Sequence, residues 1–350
     1  MRGDLEQGKD KIRTDSPTAS KEAIKLALII AANEGFKVQS GDIKSAYLQG
    51  DLIDREVFVP PPKEANADGK LWLLVQGAYG IVDGGRLFYL KLSEKLRELG
   101  LYRIHSDGAL FSYVTEGKLH GVVTTHSDDL ILAGDDTFDT DIVSKLQQIF
   151  KFSKMEKDQF KYCGCRITVK EDGTIELDQD EYVDKLKELD IDDKQDSTGL
   201  SKHEIKKVRG KVGELLWLSL MTRPDLSFEV NTLSSDVGKG DIETVKDLNR
   251  LVKKAKSYKS VLKFSKLGNI NDLSVKVFAD ASFANQSDKV RSTSGRVILL
   301  ENKKTGKVNV AGWKTKKINR VCRSVKSAET RALEEAIDDG VNIARLITHR

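Results

Sequence analysis

Residues 107–136, DGALFSYVTEGKLHGVVTTHSDDLILAGDD, read as two or three strands joined by tight polar turns, the pattern of antiparallel hairpins. In the second half of this stretch VVTTHS and LILAG are both strand-like, and the chain bends between them on Asp128-Asp129. Two carboxylates about 4 Å apart at an effective dielectric near 20 repel by about 4 kcal/mol. Such a pair persists more easily beside a divalent cation. Magnesium prefers carboxylate and phosphate oxygens, and two such ions can clamp the attacking and leaving oxygens of phosphoryl transfer. Aspartate is also a common turn residue, so a bare Asp pair in a hairpin is more often a turn device. The surrounding sequence has to decide.

Upstream, Asp15-Ser16-Pro17-Thr18 offers an N-cap region for a helix running through SKEAIKLALIIAANEG to Gly35. A short strand follows and ends on Asp42, ahead of Ala46-Tyr47 and a short helix. REVFVPPP reads as a strand broken by prolines, KLWLLVQGAYGI as an apolar strand-like run, and GRLFYLKLSEKLRELGL as a helix with a glycine stop. Downstream, DTFDTDIVSKLQQIFKF is helical. FKYCGCRITVKEDGTIELDQ is a hairpin turning at Glu171-Asp172-Gly173, with EYVDKLKELDI a helix after it. The polar stretch 192–202 is a linker. Helices then run to about residue 260 with a break near Pro224, and strands return after Gly268 with a last helix from about Ala328. Strands and helices on both sides of the linker predict an α+β protein.

An apolar fraction of 39% and a charged fraction of 32% describe an ordinary globular chain. No run of eighteen apolar residues is present to span a membrane, and the opening MRGDLEQGKDKIRTDSP lacks the apolar stretch of a secretory signal. Three cysteines are too few for a disulfide framework, and Cys163-Gly164-Cys165 lacks the partners of a zinc site, which favours a structural role for these thiols. The net charge of +4 hides an asymmetry. Residues 1–200 hold 27 Lys+Arg against 37 Asp+Glu, whereas residues 201–330 hold 28 against 13. A basic segment after an acidic one suggests a polyanion partner for the second half.

Six ordered motifs resemble the Pol polyprotein of copia-type LTR retrotransposons, a reverse transcriptase followed by an RNase H. GDIKSAYLQGDL resembles the first palm motif and REVFVPPP the segment after it. AYGIVDGGRLFYLKL resembles the YGL…R.WY segment, and HSDDLILAG the YVDD hairpin. GELLWLSLMTRPDLSFEVNTLS resembles the connection with its TRPD. VFADASFANQSDKVRSTSGRVILL, AGWKTKK and SAETRAL resemble the start of RNase H. The resemblance covers roughly residues 10–345.

It implies a polymerase palm with an antiparallel sheet and packed helices, then thumb or connection helices, then a partial RNase H-like α/β domain. The domains expected are 1–192 (partial fingers and palm), 193–268 (basic helical thumb/connection) and 269–350 (RNase H-like). The implied activity is RNA-directed DNA polymerisation by two-metal nucleotidyl transfer to a primer 3′-hydroxyl. Asp42, Asp128 and Asp129 would be the catalytic and metal-binding carboxylates, with Mg²⁺ or Mn²⁺ as cofactor. Tyr47 matches the position under the sugar of an incoming dNTP, where a bulky ring clashes with a 2′-hydroxyl. Arg86 lies in the segment placed near nucleotide or template. Asp280 and Glu329 match two RNase H carboxylates. Lys253, Lys254, Lys256, Lys259 and Lys263 would track the phosphates of an RNA or DNA template-primer. By resemblance the compartment is cytoplasmic, in virus-like particles, with the nucleus as a second possibility, and no membrane is involved.

Four departures qualify these expectations. Only about forty residues precede Asp42, so part of a nucleotide clamp is expected to be missing. His126-Ser127 replace Tyr-Val ahead of the paired aspartates. Val82-Asp83-Gly84-Gly85 replace Lys-Gln-Ala-Pro, and two glycines are expected to loosen a helix start by about 1 kcal/mol each relative to alanine. Ser282 replaces the second carboxylate of the RNase H pattern, and the later aspartates of that domain are not reached. The RNase H portion is therefore expected to be inactive, and the chain to be a fragment or decayed copy. The competing reading is a non-catalytic nucleic-acid-binding relic.

Overall fold

A computed structural model describes residues 3, 6, 8–65, 69–191, 199–285 and 290–348. The chain divides into two compact units, one of residues 1–27 and 36–158, the other of 28–35 and 159–348. The expected linker lies partly outside the described residues, at 192–198.

Helix α1 (Lys21–Glu34) starts later than the sequence suggests. Its cap is Ser20, whose Oγ accepts from the Ala23 amide, and not the Asp15–Thr18 segment. The helix stops at Gly35 with φ +71°, a backbone that glycine adopts without strain. In the first unit, β1 (Lys37–Ile43) is followed by the two-residue strands β2 (Phe58–Val59) and β3 (Trp72–Leu73), then α2 (Gly84–Glu98). Strands β4 (Leu101–Arg103), β5 (Leu110–Thr115), β6 (Lys118–His126) and β7 (Asp129–Gly134) come next. A helical segment with a π turn at its centre, α3 (Asp136–Phe138) to α4 (Ser144–Ile149), leads to β8 (Phe152–Lys157). The run KLWLLVQ is not a buried strand. Only Trp72 and Leu73 pair with β2, and Leu71, Trp72, Leu73 and Val75 are exposed.

Six strands form one antiparallel sheet in the order β4-β5-β6-β7-β1-β8. Alternate residues of β6, β7 and β1 face Phe88, Leu92 and Leu96 of α2 and Phe138, Ile142 and Leu146 beyond β7. Gly121 and Gly134 are cross-strand partners because the Phe138 ring lies on them, and a Cβ at either would come within 2.4 Å of it. Full burial of such a ring contributes about 2–3 kcal/mol.

In the second unit β9 (Gln159–Tyr162), β10 (Cys165–Val169) and β11 (Ile175–Asp178) are followed by α5 (Asp180–Lys185), α6 (Lys202–Met221), α7 (Ser227–Asp236) and α8 (Ile242–Ser257). Then come β12 (Val261–Phe264), β13 (Leu273–Ser282), β14 (Thr293–Asn302), β15 (Val308–Lys317) and α9 (Val325–Thr348). Cys163-Gly164 is a two-residue turn between β9 and β10, which breaks the single strand read from FKYCGCRITV. Leu215, Leu218, Val230, Leu248 and Val252 make the helical core, and a capping box of Ser201 and Glu204 starts α6. Sheet β13-β14-β15 packs under α9. Ala328, Ala332, Ala336 and Gly340 line the buried side of that helix, and a Cβ on Gly340 would lie 2.7 Å from Val277. Trp313 Nε1 donates to Ser219 O at 2.8 Å and Asn231 to Thr315 O at 3.2 Å, which ties the helices to this sheet.

Candidate active site

Strand β1 lies beside β7, and the pairing register sets Asp42 directly opposite Asp129. Cross-strand partners project from the same face of a sheet, so these two carboxylates are neighbours by register alone. Asp128 stands beside them on the turn. His126 pairs with Asp129, leaving Ser127-Asp128 as a two-residue loop, and Asp128 O accepts from the Ile43 amide at 3.0 Å. The last residues of β1 are therefore held against the turn by backbone as well as by register.

This turn differs from its two counterparts. Glu116-Gly117 and Cys163-Gly164 also join two strands, and both residues of each have positive φ, with glycine second. At the acidic hairpin Ser127 takes the left-handed position, at φ +58°, and Asp128 has no positive φ. The left-handed position thus falls on Ser127, and Asp128 takes a second loop position that aspartate ordinarily occupies. Ser45, just after β1, is also left-handed at φ +50°. Each such residue costs about 1–3 kcal/mol and persists where surrounding contacts hold it.

The electrostatics match the geometry. Burial pushes the Asp129 carboxyl up to about 6, with the charges of Asp128 and Asp42 adding to the shift. Burial lowers His126, opposed by Asp128. Tyr79 is raised by burial and by the charge of Asp128, with a smaller push from Asp42. Hard oxygen donors crowded with like charge are a donor set suited to magnesium or manganese. Among the described residues, however, no three His, Cys, Asp or Glu side chains are disposed to hold a metal ion as they stand. The Ser153 hydroxyl on β8 donates to Asp42 Oδ2.

Tyr47, on the one-turn 3₁₀ segment Ala46–Gln49, places its hydroxyl 3.3 Å from Ser127 Oγ. Its ring stacks on Tyr79 with centroids 4.7 Å apart, and Tyr79 is 51% exposed. Gly84 lies against this group. A Cβ there would meet Ala78 O at 2.9 Å and Tyr47 Cδ2 at 3.4 Å. The expectation that Gly84 merely loosens the helix start is corrected, because no larger residue fits. Asp83 is drawn into a part-buried pair with Arg55, at 2.7 and 2.9 Å, and Arg55 also bonds Glu6. Arg86 is engaged too, donating to Asp15 Oδ2 at 2.6 Å.

In the second unit Asp280 is exposed near the end of β13, paired in register with Gly295. Glu329 is half-buried in the second turn of α9. Four of the five expected phosphate-binding lysines are in ion pairs. Lys253 pairs with Glu188 at 3.3 Å, Lys254 with Glu229 at 2.7 Å, Lys259 with Asp184 at 3.2 Å and Lys263 with Glu176 at 3.5 Å. Lys256 is exposed and has no carboxylate partner among the described residues. The TRPD segment is structural. Arg223 is buried, bonds both Asp225 oxygens at 2.8 Å, and donates to Ala255 O and Tyr258 O at the end of α8. Arg296 of β14 is likewise buried, between Glu335 and Asp339 of α9. Sequence reading missed Ser153, Tyr79, Arg55 and Arg296. Three of them lay within quoted motifs, Tyr79 in AYGI, Arg55 in REVFVPPP and Arg296 in the STSGRVILL run, without being singled out.

Comparison with known proteins adds an independent line. Residues 5–198 match the family described as reverse transcriptase (RNA-dependent DNA polymerase). The chain is 27% identical over 359 residues to the retrovirus-related Pol polyprotein from transposon RE1 of Arabidopsis thaliana, covering 97% of this chain and 24% of that protein. It is 23% identical over 372 residues to the transposon Ty1-GR3 Gag-Pol polyprotein of Saccharomyces cerevisiae, covering 95% and 20%. Against the putative transposon Ty5-1 protein of the same yeast the identity is 24% over 279 residues, covering 74% and 88%. The chain spans about a quarter of the length of the first of these relatives. No described helix is long and apolar enough to cross a membrane.

Proposed function

The chain belongs to the reverse transcriptase family of RNA-dependent DNA polymerases, and on that premise we propose that its first unit adds deoxynucleotides to a primer 3′-hydroxyl beside Asp42, Asp128 and Asp129. The observation that carries this reading is the register that sets Asp42 opposite Asp129, with Asp128 next to them on the turn. The three carboxylates would hold two Mg²⁺ or Mn²⁺ ions. When bound there, the ions supply a more acidic primer hydroxyl and a counter-charge for departing pyrophosphate. Asp129 is charged above pH about 6.

Other residues take supporting parts in the same proposal. Tyr47 lies under the sugar and disfavours a 2′-hydroxyl. Arg86 meets the nucleotide phosphates after leaving Asp15. On the second unit Lys253, Lys254, Lys256, Lys259 and Lys263 contact the template-primer backbone, and four of them must first exchange a protein carboxylate for a phosphate. Asp280 and Glu329 remain as an RNase H remnant without cleavage activity, since Ser282 brings no carboxylate to the end of β13.

A second reading, a nucleic-acid-binding relic that no longer polymerises, draws support from the altered motif residues His126-Ser127 and Val82-Asp83-Gly84-Gly85. Primer extension on an RNA template with Mg²⁺ or Mn²⁺ separates the two. Catalysis predicts template-dependent incorporation that falls about a thousandfold in Asp128→Asn, the loss expected when about 4 kcal/mol of metal-assisted stabilisation goes. Retained hybrid binding with no incorporation by the parent chain would establish the relic.

A further inference from the structure

We propose that a groove at the C-terminal end of α2 binds the backbone of a single nucleic-acid strand, at a site separate from the carboxylates. The groove has a volume of about 500 Å³ and is lined by Tyr89, Arg97, Tyr102, Arg103 and His105 with neighbouring apolar residues. It lies within the first unit, and its position follows from the fold. Gly84 and Gly85, at the start of α2, approach Tyr47, whereas Arg97 lies one residue from the other end. A helix of this length spans about 20 Å. The other wall is β4, the edge strand of the sheet, three strand spacings from β7 or about 14 Å.

The charge of the groove is what marks it. It lies in the half of the chain with the acidic excess, where residues 1–200 carry 37 acids against 27 basic residues, yet no carboxylate lines it. Nearby acids are committed elsewhere. Glu98 bonds Lys95 at 2.6 Å, and Asp107 accepts from the Ser20 and Ala109 amides at 3.0 and 2.9 Å. Arg97 and Arg103 have no carboxylate partner among the described residues. Their hydrogen bonds are long, from Arg103 to Tyr89 Oη at 3.4 Å and from Arg97 to Ser93 O at 3.4 Å. The lysines of α8 and β12 present the opposite case, since four of the five expected contacts are already neutralised.

Two guanidinium groups without acidic partners suit phosphate oxygens, which they can bond bidentately. Tyr102, 66% exposed between Leu101 and Arg103, supplies a ring face on which a base can stack. Cationic donors beside an exposed aromatic in a narrow groove favour a single strand over a duplex, whose bases are already stacked. An acidic peptide would use the arginines but gain nothing from the ring.

The test is fluorescence anisotropy of a labelled twenty-nucleotide oligo-dT with the full chain, in EDTA and without nucleotides. Success or failure of polymerisation is then irrelevant to the result. Arg97→Gln/Arg103→Gln should weaken binding at least tenfold at low salt. It should also reduce the slope of log affinity against log salt by about 1.4, for two lost contacts to a single strand. Tyr102→Ala should weaken binding about five- to a hundredfold with little change in slope. All three side chains are exposed, so the variants should melt with the parent. Parent-like affinity and slope in the double variant would overturn the proposal. So would displacement of the oligonucleotide by polyglutamate as readily as by unlabelled oligo-dT, which would make the groove a peptide site.

Discussion

The acidic hairpin and the buried arginines of the second unit are both clusters of charge, but only one is balanced from within. Arg223 is met by both oxygens of Asp225 and two backbone carbonyls, and Arg296 by Glu335 and Asp339. Burial pushes Asp225 up, yet its bonds and proximity to Arg223 hold it below the usual carboxylate range. At the hairpin, burial and like charge act in the same direction and Asp129 rises to about 6. Arg223 and Arg296 are balanced by protein groups, whereas burial and like charge both raise Asp129. That contrast, more than the presence of acidic residues, separates a binding site from a structural ion pair.

The contrast can be broken from either side. The largest effect is expected where charge is balanced. Arg223→Ala strips both Asp225 and two carbonyls of their donor, and should cost about 3–5 kcal/mol in denaturant unfolding. A loss below about 1 kcal/mol would mean that the TRPD segment is not the structural pin described above. A smaller effect of opposite sign is expected at the hairpin. A carboxyl whose folded-state pKa lies above its unfolded value binds extra protons when folded, so its contribution to stability falls as pH rises from about 4 to about 6. Asp129→Asn should therefore stabilise the metal-free protein at pH 7.5, by about 1–2 kcal/mol after discounting for solvent screening, and the gain should vanish near pH 4. A destabilised variant at pH 7.5 would show that Asp129 has a protein partner of its own.

Much of this site was legible because it is local. A strand ending on Asp42 and another bending on Asp128-Asp129 follow from hydrophobic pattern, and the resemblance grouped the three aspartates, but the pairing of their strands comes only from the fold. What was not legible is long-range. Ser153 reaches Asp42 from 111 residues away, and Glu188, Glu229 and Asp184 approach the lysines only after the helices pack. Charge counting therefore could not show that four of the five lysines it singled out pair with carboxylates, and it passed over a pair of arginines in an acidic half. Leu71-Trp72-Leu73 misled in another way, since apolar character alone does not say whether a segment finds a core. Gly84 looked like a propensity defect because propensity ignores what the helix start touches.

Cation binding at the hairpin is tested most directly by a calorimetric titration of the full chain with Mn²⁺. At pH 7.5 the parent should bind Mn²⁺, with affinity falling at pH 5 as Asp129 takes up a proton. Asp129→Asn should abolish most of the binding at both pH values. Binding that is unchanged in Asp129→Asn, or absent from the parent at pH 7.5, would contradict the assignment of Asp42, Asp128 and Asp129 as a metal site.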